Sequence, residues 1–373
     1  MTMRAVVCGT RFGQVYLEAF RHPDNPVQLA GILSGGSDRS RACARHYDVP
    51  HYTSPDDIPD DVDIACVVIR GGLLGGQGAD LALRLMVRGL HVLQEHPLHQ
   101  DELAACLRQA RRSGVVYHLN SFYVHVEPVR RFLAAVAELT RSQPIRYIDA
   151  ACGFQLAYSL LDVLGQALGG VRPWAFADLP DAAQAYRATQ LDVPFRSLDG
   201  VLGGVPVTLR VQNQMDPGDP DNYAHLMHRV TVGTEAGNLT LVSTHGPTVW
   251  AARPDFPRTV GETDAAPHFD APASSGEEHL DLPSARVLGP AEAPGFRHVF
   301  GSVWSAGVAR ALGELVAAIE AGGGAAGRGQ YHLTLCELWQ DITARLGPPE
   351  LLRADPPRFV LGDGLAAMAR AAE

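Results

Sequence analysis

The first 120 residues alternate short apolar runs with amphipathic stretches. The apolar runs cover residues 4–8, 27–34, 63–70, 90–94 and 115–120. Near-continuous apolar runs of this length are typical of strands buried on both faces, whereas the segments between them have apolar residues at helical spacing. Strands and helices that alternate in this way predict a parallel sheet with helices on both faces. The expected class is therefore α/β, with a doubly wound nucleotide-binding domain over residues 1–123.

The pattern changes after residue 123. Helical spacing is found at 127–140 and 154–168, and apolar and polar residues alternate at 207–214, 227–234, 238–244 and 247–253. Such alternation predicts a mostly antiparallel sheet with one solvated face. Helical spacing returns near 304–321 and 331–346. Residues 124–373 are therefore expected to form an α+β domain built on an open sheet.

One long segment of this second half shows neither helical spacing nor the alternation of apolar and polar residues that is typical of strands. Residues 254–297 are rich in proline, alanine, glycine, serine and acidic residues. A segment of that size in a compact domain is usually a lid or an insertion. We therefore predict a long loop or lid at 254–297.

Composition bears on partners and on location. The formal net charge of the 373 residues is −10, whereas nucleic-acid binding calls for a basic field. The sequence has neither an apolar run of about 18 residues, as a membrane helix would need, nor a signal-peptide pattern at its start. The six cysteines are scattered without a C-x-x-C pair, which predicts reduced thiols. We expect a cytoplasmic protein that binds neither nucleic acid nor membrane.

The chain contains no lysine, so all 31 of its basic residues, histidine aside, are arginine. Mechanisms that need an ammonium group are excluded, among them Schiff bases, the P-loop lysine and a lysine proton donor. A proton donor in this chain must therefore be another type of side chain.

A glycine turn joins the first strand to the first helix. In "CGTRFGQ", Gly9, Thr10, Phe12 and Gly13 occupy the position where a dinucleotide fold binds the pyrophosphate. The middle glycine of G-x-G-x-x-G is missing, and the spacing is one residue short. The position between strand and helix favours a nucleotide site, and a tight turn in an unrelated α/β domain is the alternative.

The end of the second strand bears on the choice of cofactor. NAD sites usually have Asp or Glu there, which binds the ribose 2′-OH. Here Ser37, Arg39 and Ser40 begin the next helix, and hydroxyls with a guanidinium suit a 2′-phosphate. Asp38 is the expected N-cap and would face away from the ribose. The segment favours NADP(H), with an ordinary capped, exposed helix as the alternative.

Polar side chains follow the third, fourth and fifth strands. Ligands of open α/β sheets bind beyond these carboxyl ends. The side chains expected there are Arg70, Glu95, His96, His99, Asn120, Tyr123 and His125. A zinc site needs three or four ligands, but Pro97 separates two of the histidines and no cysteine is adjacent. Acid–base chemistry is therefore favoured over a metal, and histidines with a purely structural role are the remaining alternative.

These residues and the domain pattern resemble the glucose–fructose oxidoreductase, inositol dehydrogenase and MocA superfamily (Gfo/Idh/MocA), whose first half is a Rossmann domain. Its usual motif after the fourth strand is Glu-Lys-Pro, and here His96 replaces the lysine. The closer resemblance is to the thiazolinyl imide reductases of siderophore biosynthesis, of the yersiniabactin and pyochelin type. The shared segments include "GSDRSR", "DIACVVIR", "GLHVLQEHPLH", "NSFYVH", "YSLLD", "MDPGDPDNYAHLMHR" and "HGPTVW".

The resemblance implies an enzyme of nonribosomal peptide assembly. It implies NADPH-dependent reduction of a thiazoline C=N to a thiazolidine, on an intermediate that is tethered to a carrier domain. Hydride goes to the imine carbon, and the nitrogen receives a proton from Tyr123 or His96. A free imidazole titrates near about 6.5 and a phenol near about 10, so either group can serve. Arg70 and Glu95 are implied cofactor contacts, Asn120 and His228 line the substrate pocket, and the chain forms a homodimer. For His228, a structural role between neighbouring strands is the alternative.

Two other functions remain open at this stage. A sugar or cyclitol dehydrogenase of the same superfamily is one, although the missing lysine and the lack of a D-x-x-x-H pattern argue against it. A non-catalytic NADP(H)-binding sensor or scaffold is the other. A screen of polyols with NADP⁺ would distinguish the first, and cofactor binding without turnover of any thiazoline would favour the second.

Overall fold

The computed structural model describes most of the chain. The described residues are 2–70, 76–178, 193–219, 222, 224–253, 281–323, 326–353, 355 and 362–371. Most of the predicted loop or lid, residues 254–280, lies outside them.

Six parallel strands form the first sheet, in the order β3-β2-β1-β4-β5-β6. They are β1 Arg4–Cys8, β2 Gln28–Leu33, β3 His51–Tyr52, β4 Ile64–Val67, β5 His91–Glu95 and β6 Tyr117–Asn120. The apolar runs are buried as expected, and Val6, Ile64 and Val92 have no exposed surface. The predicted α/β class is confirmed. Sequence analysis missed β3, because a two-residue strand has no measurable period.

Helices connect these strands. They are α1 Gly13–Ala19, α2 Asp38–His46, α3 Gly78–Val87 and α4 Gln100–Ser113. The N-cap of α2 is Ser37, whose side chain accepts a hydrogen bond from the Ser40 backbone amide at 3.2 Å. The prediction that Asp38 caps the helix was therefore wrong, because the serine one residue earlier has the extended backbone that an N-cap requires.

The second sheet has eight strands, in the order β15-β14-β13-β12-β7-β10-β9-β8. They are β7 Tyr147–Gly153, β8 Trp174–Phe176, β9 Phe195–Leu202, β10 Val205–Gln212, β12 His228–Thr234, β13 Gly237–Leu241, β14 Thr248–Ala252 and β15 Ala285–Leu288. Only β7 and β10 pair in parallel, so the mostly antiparallel sheet is confirmed. A separate two-stranded pair joins β11 Gln214–Met215 to β16 Glu350–Leu351.

Four strands of the second sheet were not predicted from the sequence, namely β7, β8, β9 and β15. Residues 254–297 were predicted to be a loop, but Ala285–Leu288 pairs with β14 at the sheet edge. An edge strand with mostly exposed side chains needs no alternation of apolar and polar residues, and the sequence therefore gave no signal. The central strand β7 was missed because its buried residues are small.

The remaining helices cover the second sheet and return to the first domain. They are α5 Glu127–Leu139, α6 Ala157–Leu168, α7 Trp304–Glu320, α8 Ala326–Leu346 and α9 Gly362–Arg370. Whereas α5 and α6 pack on the second sheet, α7 packs against α1, β5 and β6, and α8 packs against α4 and β6. The C-terminal part of the chain therefore completes the core of the first domain.

One helical segment needs comment because it is long and apolar. Phe296–Glu320 has the length and composition of a membrane span, a test that core helices of globular proteins also pass. Residues of α7 such as Val308, Leu312 and Leu315 are fully buried within the protein. We therefore describe this segment as a core helix.

Candidate active site

Pairing of β5 with β6 brings the predicted acid–base residues together. Glu95 lies opposite Asn120 in the parallel register, and the His96 backbone amide donates to the Asn120 carbonyl at 3.1 Å. The two strands thus end side by side at the carboxyl edge of the sheet. This edge is where open α/β folds bind their ligands.

Three side chains form a hydrogen-bonded network at this edge, and the His96 ring lies beside it. The Asn120 amide nitrogen donates to the Tyr16 hydroxyl at 2.7 Å, and that hydroxyl donates to Glu95 Oε2. The other oxygen of Glu95 lies 3.0 Å from His96 Nδ1. Burial, and next the neighbouring Glu95, raise the pKa of Tyr16 well above its usual value, so Tyr16 stays protonated and donates.

Asn120 serves this network and does not face a substrate. Its side chain is fully buried, and its Oδ1 accepts a hydrogen bond from the Phe122 amide at 3.0 Å while its nitrogen bonds Tyr16. We predicted a substrate contact for Asn120, and the structure revises that role. The residue holds Tyr16 and the loop after β6 in place.

The His96 ring has a defined orientation. It stacks on Tyr158 of α6, with ring centroids 5.4 Å apart and an interplanar angle of 24°. His96 Nδ1 faces the Asn120 carbonyl oxygen at 3.1 Å as well as the Glu95 carboxylate. Both of these oxygens only accept hydrogen bonds, so Nδ1 must carry a proton. Nε2 is then the nitrogen that is able to exchange a proton with a ligand.

Tyr123 follows a strained turn. Phe122 has φ 63° and ψ −61°, and the Tyr123 amide donates to the Ser121 carbonyl at 2.7 Å, which defines a classic γ-turn. Phe122 is fully buried, and the Ser121 hydroxyl donates to the buried Asp162. A strained backbone held this firmly is typical of functional sites. The turn fixes the direction of the Tyr123 side chain.

Aromatic rings surround Tyr123. Its ring centroid lies 4.8 Å from that of His228 and 6.2 Å from that of Trp304, both in edge-on geometry. Trp304 donates from Nε1 to His245 at 3.0 Å and also packs on Phe12 of the glycine turn. The candidate tyrosine therefore lies between the first domain and β12 of the second sheet.

His228 was predicted to line the substrate pocket, but both ring nitrogens have protein partners. Nε2 lies 2.9 Å from the Ser159 hydroxyl, and Nδ1 lies 3.0 Å from the Thr244 hydroxyl. Because Ser159 donates to the Leu156 carbonyl, it accepts from Nε2, and Thr244 donates to Nδ1. Burial lowers the pKa of His228 to about 3. The His228 ring is therefore neutral, and it packs against the Tyr123 ring.

The glycine turn has the conformation that a nucleotide site needs. Gly9 has φ 96°, and a Cβ there would lie 2.7 Å from the Val68 carbonyl oxygen, so only glycine fits. At Gly13 a Cβ would meet Val7 at 3.6 Å, an ordinary contact. Packing within the chain thus does not require glycine at Gly13, whereas close approach of a pyrophosphate would. Thr10 is buried, and its carbonyl accepts from Arg39 Nε at 3.1 Å.

Arg39 therefore bridges the turns after β1 and β2, where the ribose of a dinucleotide lies in this fold. Its neighbour Ser40 is fully buried, and its hydroxyl donates to the Ser37 carbonyl at 2.8 Å. Ser40 consequently stabilises the start of α2, and a direct bond to a phosphate would break an existing one. Ser37 and Arg39 are exposed, as is Arg70 beyond β4, so these predicted contacts are accessible to a cofactor.

Two predicted residues lie away from this cluster. His99 caps α4, where its Nδ1 accepts from the Asp101 amide at 3.3 Å. His125 lies 3.3 Å from Glu314 of α7 and lines a cavity of about 380 Å³ between α5, α6, α7 and α8. Within the part of the chain that is described, no three His, Cys, Asp or Glu residues are placed to hold a metal ion.

Sequence reasoning missed several residues of the site. They are Tyr16, Tyr158, Ser159, Thr244 and Trp304. Tyr158 and Ser159 belong to the segment "YSLLD", so the resemblance quoted above contained a signal for them. Tyr16 lies in "CGTRFGQVYL", a segment that the resemblance also shares, whereas Thr244 and Trp304 had no such signal, because only the fold brings these distant segments together.

Fold and site together define a nicotinamide-dependent oxidoreductase. Residues 3–121 match the sequence model of the oxidoreductase family with an NAD-binding Rossmann fold, and residues 143–251 match the C-terminal domain of Irp3-like thiazolinyl imine reductases. The two matches cover more than half of the chain. The protein belongs to the Gfo/Idh/MocA oxidoreductases and carries the C-terminal domain of the Irp3-like branch. A search of curated proteins gives no match.

Solved structures support the fold. A UDP-N-acetylglucosamine 3-dehydrogenase from Acidithiobacillus ferrooxidans superposes with a TM-score of 0.61 at 13% identity, over 92% of this chain and 98% of that one. Levoglucosan dehydrogenase, in complex with NADH and levoglucosan, gives 0.62 at 12% identity, over 92% and 97%. A mutant 3-ketoreductase from Actinomadura kijaniata, in complex with TDP-benzene and NADP, gives 0.60 at 15% identity, over 94% and 99%. At these identities the likeness establishes the fold alone.

Proposed function

We propose that this protein reduces the C=N bond of a thiazoline to a thiazolidine with NADPH. The observation that carries the proposal is the pairing of an Irp3-like C-terminal domain with His96 at the position where the superfamily has lysine. Imine reduction needs hydride at carbon and a proton at nitrogen. NADPH supplies the hydride when bound, and the side chains described above supply the proton.

Tyr123 and His96 are the two candidate proton donors. Consecutive residues of α6 link them, because Tyr158 stacks on His96 while Ser159 bonds the His228 ring that packs against Tyr123. We assign the donation to Tyr123, with His96 returning the proton to it. The reverse assignment uses the same atoms and differs only in which group contacts the imine nitrogen.

Arg39 supports the choice of NADP(H). Its guanidinium bridges the turns after β1 and β2, and no carboxylate follows β2 to bind a ribose 2′-OH except the exposed Asp38. Asp38 is paired with Arg41 at 2.6 Å. An exposed arginine beside a carboxylate that already has a partner suits a 2′-phosphate better than a 2′-hydroxyl.

The proposal extends to the protein's setting. The substrate would be an intermediate on the carrier domain of a nonribosomal peptide synthetase in siderophore or related biosynthesis, and the enzyme a cytoplasmic homodimer. These points rest on the resemblance to the Irp3-like branch. The open second sheet offers the surface for dimerisation.

The test uses the purified full chain, NADPH and a thiazoline thioester, free or loaded on a carrier domain. We expect consumption of NADPH and a product heavier by two hydrogens. Arg39→Ala should lower the preference for NADPH over NADH roughly tenfold, because it removes one charged hydrogen-bond donor. Oxidation of a polyol with NADP⁺, without thiazoline reduction, would instead identify a sugar dehydrogenase, as the named structural relatives suggest.

A further inference from the structure

We infer that Glu95 is a positioning residue, which holds a proton on His96 Nδ1 and so makes Nε2 the nitrogen that exchanges protons with the substrate or with Tyr123. The inference deepens the proposed imine reduction and rests on it. Sequence analysis assigned Glu95 to the cofactor. The structure instead uses both of its carboxylate oxygens within the protein, one for Tyr16 and one for His96.

The direction of each hydrogen bond follows from the chemistry of the partners. The Tyr16 oxygen accepts from the Asn120 amide nitrogen, so its own proton points to Glu95. Glu95 accepts from Tyr16 at Oε2, and its Oε1 lies 3.0 Å from His96 Nδ1, where a carboxylate has no proton to give. His96 Nδ1 then has only acceptors in front of it, namely Glu95 and the Asn120 carbonyl. Of the two neutral forms of the imidazole, the surroundings stabilise the one with hydrogen on Nδ1.

Glu95 is also the charged group beside this ring. Other titratable groups near His96 include Tyr16, Tyr158, His228 and His332. Burial raises the pKa values of Tyr16 and Tyr158 well above their usual range and lowers those of His228 and His332 to about 3 and about 4. All four are uncharged at neutral pH. When His96 is protonated, its positive charge therefore has Glu95 as the adjacent counter-charge.

The step balances as follows. NADPH, when bound, would supply the hydride for the imine carbon, and the Tyr123 hydroxyl would give its proton to the imine nitrogen. The phenolate regains a proton from Nε2–H of the charged His96, which becomes neutral with hydrogen on Nδ1. Solvent then protonates Nε2 again. If His96 donates directly, the same Nε2 proton moves to the imine nitrogen.

The decisive variant is Glu95→Gln. Tyr16 still needs an acceptor, so the amide oxygen turns to Tyr16 and the amide N–H₂ faces His96 Nδ1. The Asn120 carbonyl would then be opposed by an amide donor at Nδ1, and the balance of neutral His96 should shift towards hydrogen on Nε2. Loss of the counter-charge also disfavours the protonated ring. We expect kcat to fall about 10- to 100-fold, the range typical for a partner that orients a functional histidine, and the alkaline limb of the pH–rate profile to move to lower pH.

The matched control is Glu102→Gln. Glu102 is likewise a carboxylate next to a histidine, because its Oε2 accepts a hydrogen bond from the His99 backbone amide at 3.0 Å. It lies outside the candidate active site. This variant should keep the wild-type pH profile. Tyr16→Phe, which leaves the carboxylate charged but less fixed, should give a smaller loss than Glu95→Gln. Thermal unfolding of each variant shows that it is folded.

Nitrogen NMR of ¹⁵N-histidine-labelled protein gives a readout that does not depend on turnover. The His96 signal is assigned by its absence in His96→Asn. Wild type should show the Nδ1–H form at alkaline pH, and Glu95→Gln the Nε2–H form. An Nε2–H form in wild type, or a folded Glu95→Gln variant with unchanged tautomer and pH profile, would overturn the inference. If wild type reduces no thiazoline, the proposed function fails, while the NMR result still decides the role of Glu95.

Discussion

Two histidines of the candidate active site come from different domains, and their surroundings differ. His96 comes from the first domain, has one ring nitrogen fixed by acceptors, and lies beside the Glu95 carboxylate. His228 comes from the second sheet, has both nitrogens bonded to hydroxyls, and is 1% exposed. The first environment supports a charged ring, and the second excludes one.

The difference shows how one residue type serves two purposes in a single site. A proton donor needs a free nitrogen and a nearby counter-charge, and the carboxyl edge of the parallel sheet provides both. A residue that only supports the tyrosine needs a fixed orientation and a constant protonation state. Burial between β12 and α6 gives His228 both. What distinguishes the two histidines is the set of hydrogen-bond partners that each ring has.

The largest expected effect concerns the two candidate proton donors. Tyr123→Phe and His96→Asn should each lower kcat for thiazoline reduction about 10²- to 10⁴-fold, because positioned acid catalysis contributes that much. NADPH binding, measured by fluorescence titration, should stay near the wild-type value. If both variants kept near-full turnover with NADPH still bound, neither group would be the donor.

A smaller effect is expected at the supporting histidine. His228→Asn should lower kcat by about tenfold, since it disturbs the packing of Tyr123 without removing a proton donor. The shape of the pH–rate profile between about pH 5 and 9 should stay that of wild type, because the wild-type ring is already neutral there; its pKa is lowered to about 3 by burial. A profile that changed with this variant would mean that His228 titrates during turnover, and the contrast with His96 would be lost.

The smallest expected effect is on stability as a function of pH. The pKa of His228 is lowered from 6.5 to about 3 in the folded protein, so the unfolded chain binds the extra proton between these values. The stabilisation is complete above pH 6.5 and is lost as the pH falls below it, by up to about 1.4 kcal/mol per pH unit for one proton.

Urea unfolding of wild type and His228→Asn at several pH values between about 4 and 7 measures this difference. The free energy of unfolding of wild type should fall more steeply towards acid, by the contribution of that one proton. Equal slopes would show that the buried ring is protonated in the folded state.

The sequence predicts the parts of the site that follow from short segments of the chain, and it does not predict the parts that depend on contacts between distant segments. The strand that ends in "QEH" and the loop "NSFY" could be placed at one sheet edge, because parallel strands end on the same side. His96 and Tyr123 were therefore identified from the sequence. The partners of Tyr123 come from β12, α6 and α7, and such contacts depend on long-range packing that no local period reports.

Roles were harder to predict than positions. Asn120, Ser40 and His228 are all polar residues at expected places, but each has its hydrogen-bonding atoms occupied within the protein. Glu95 lies where the superfamily motif predicts, yet its carboxylate bonds Tyr16 from α1, about 80 residues earlier in the chain. A sequence gives the polar group, and only the structure gives its partner.

The return of α7 and α8 to the first domain has a consequence for synthesis. The surfaces of α1, β5 and β6 are translated first, but the helix that covers them is not complete until residue 320. A ribosome that adds about 5 to 20 residues per second leaves this apolar surface uncovered for roughly 10 to 40 seconds. The nascent first domain therefore exposes this surface until α7 is complete, and a fragment that ends at residue 123 would keep it exposed.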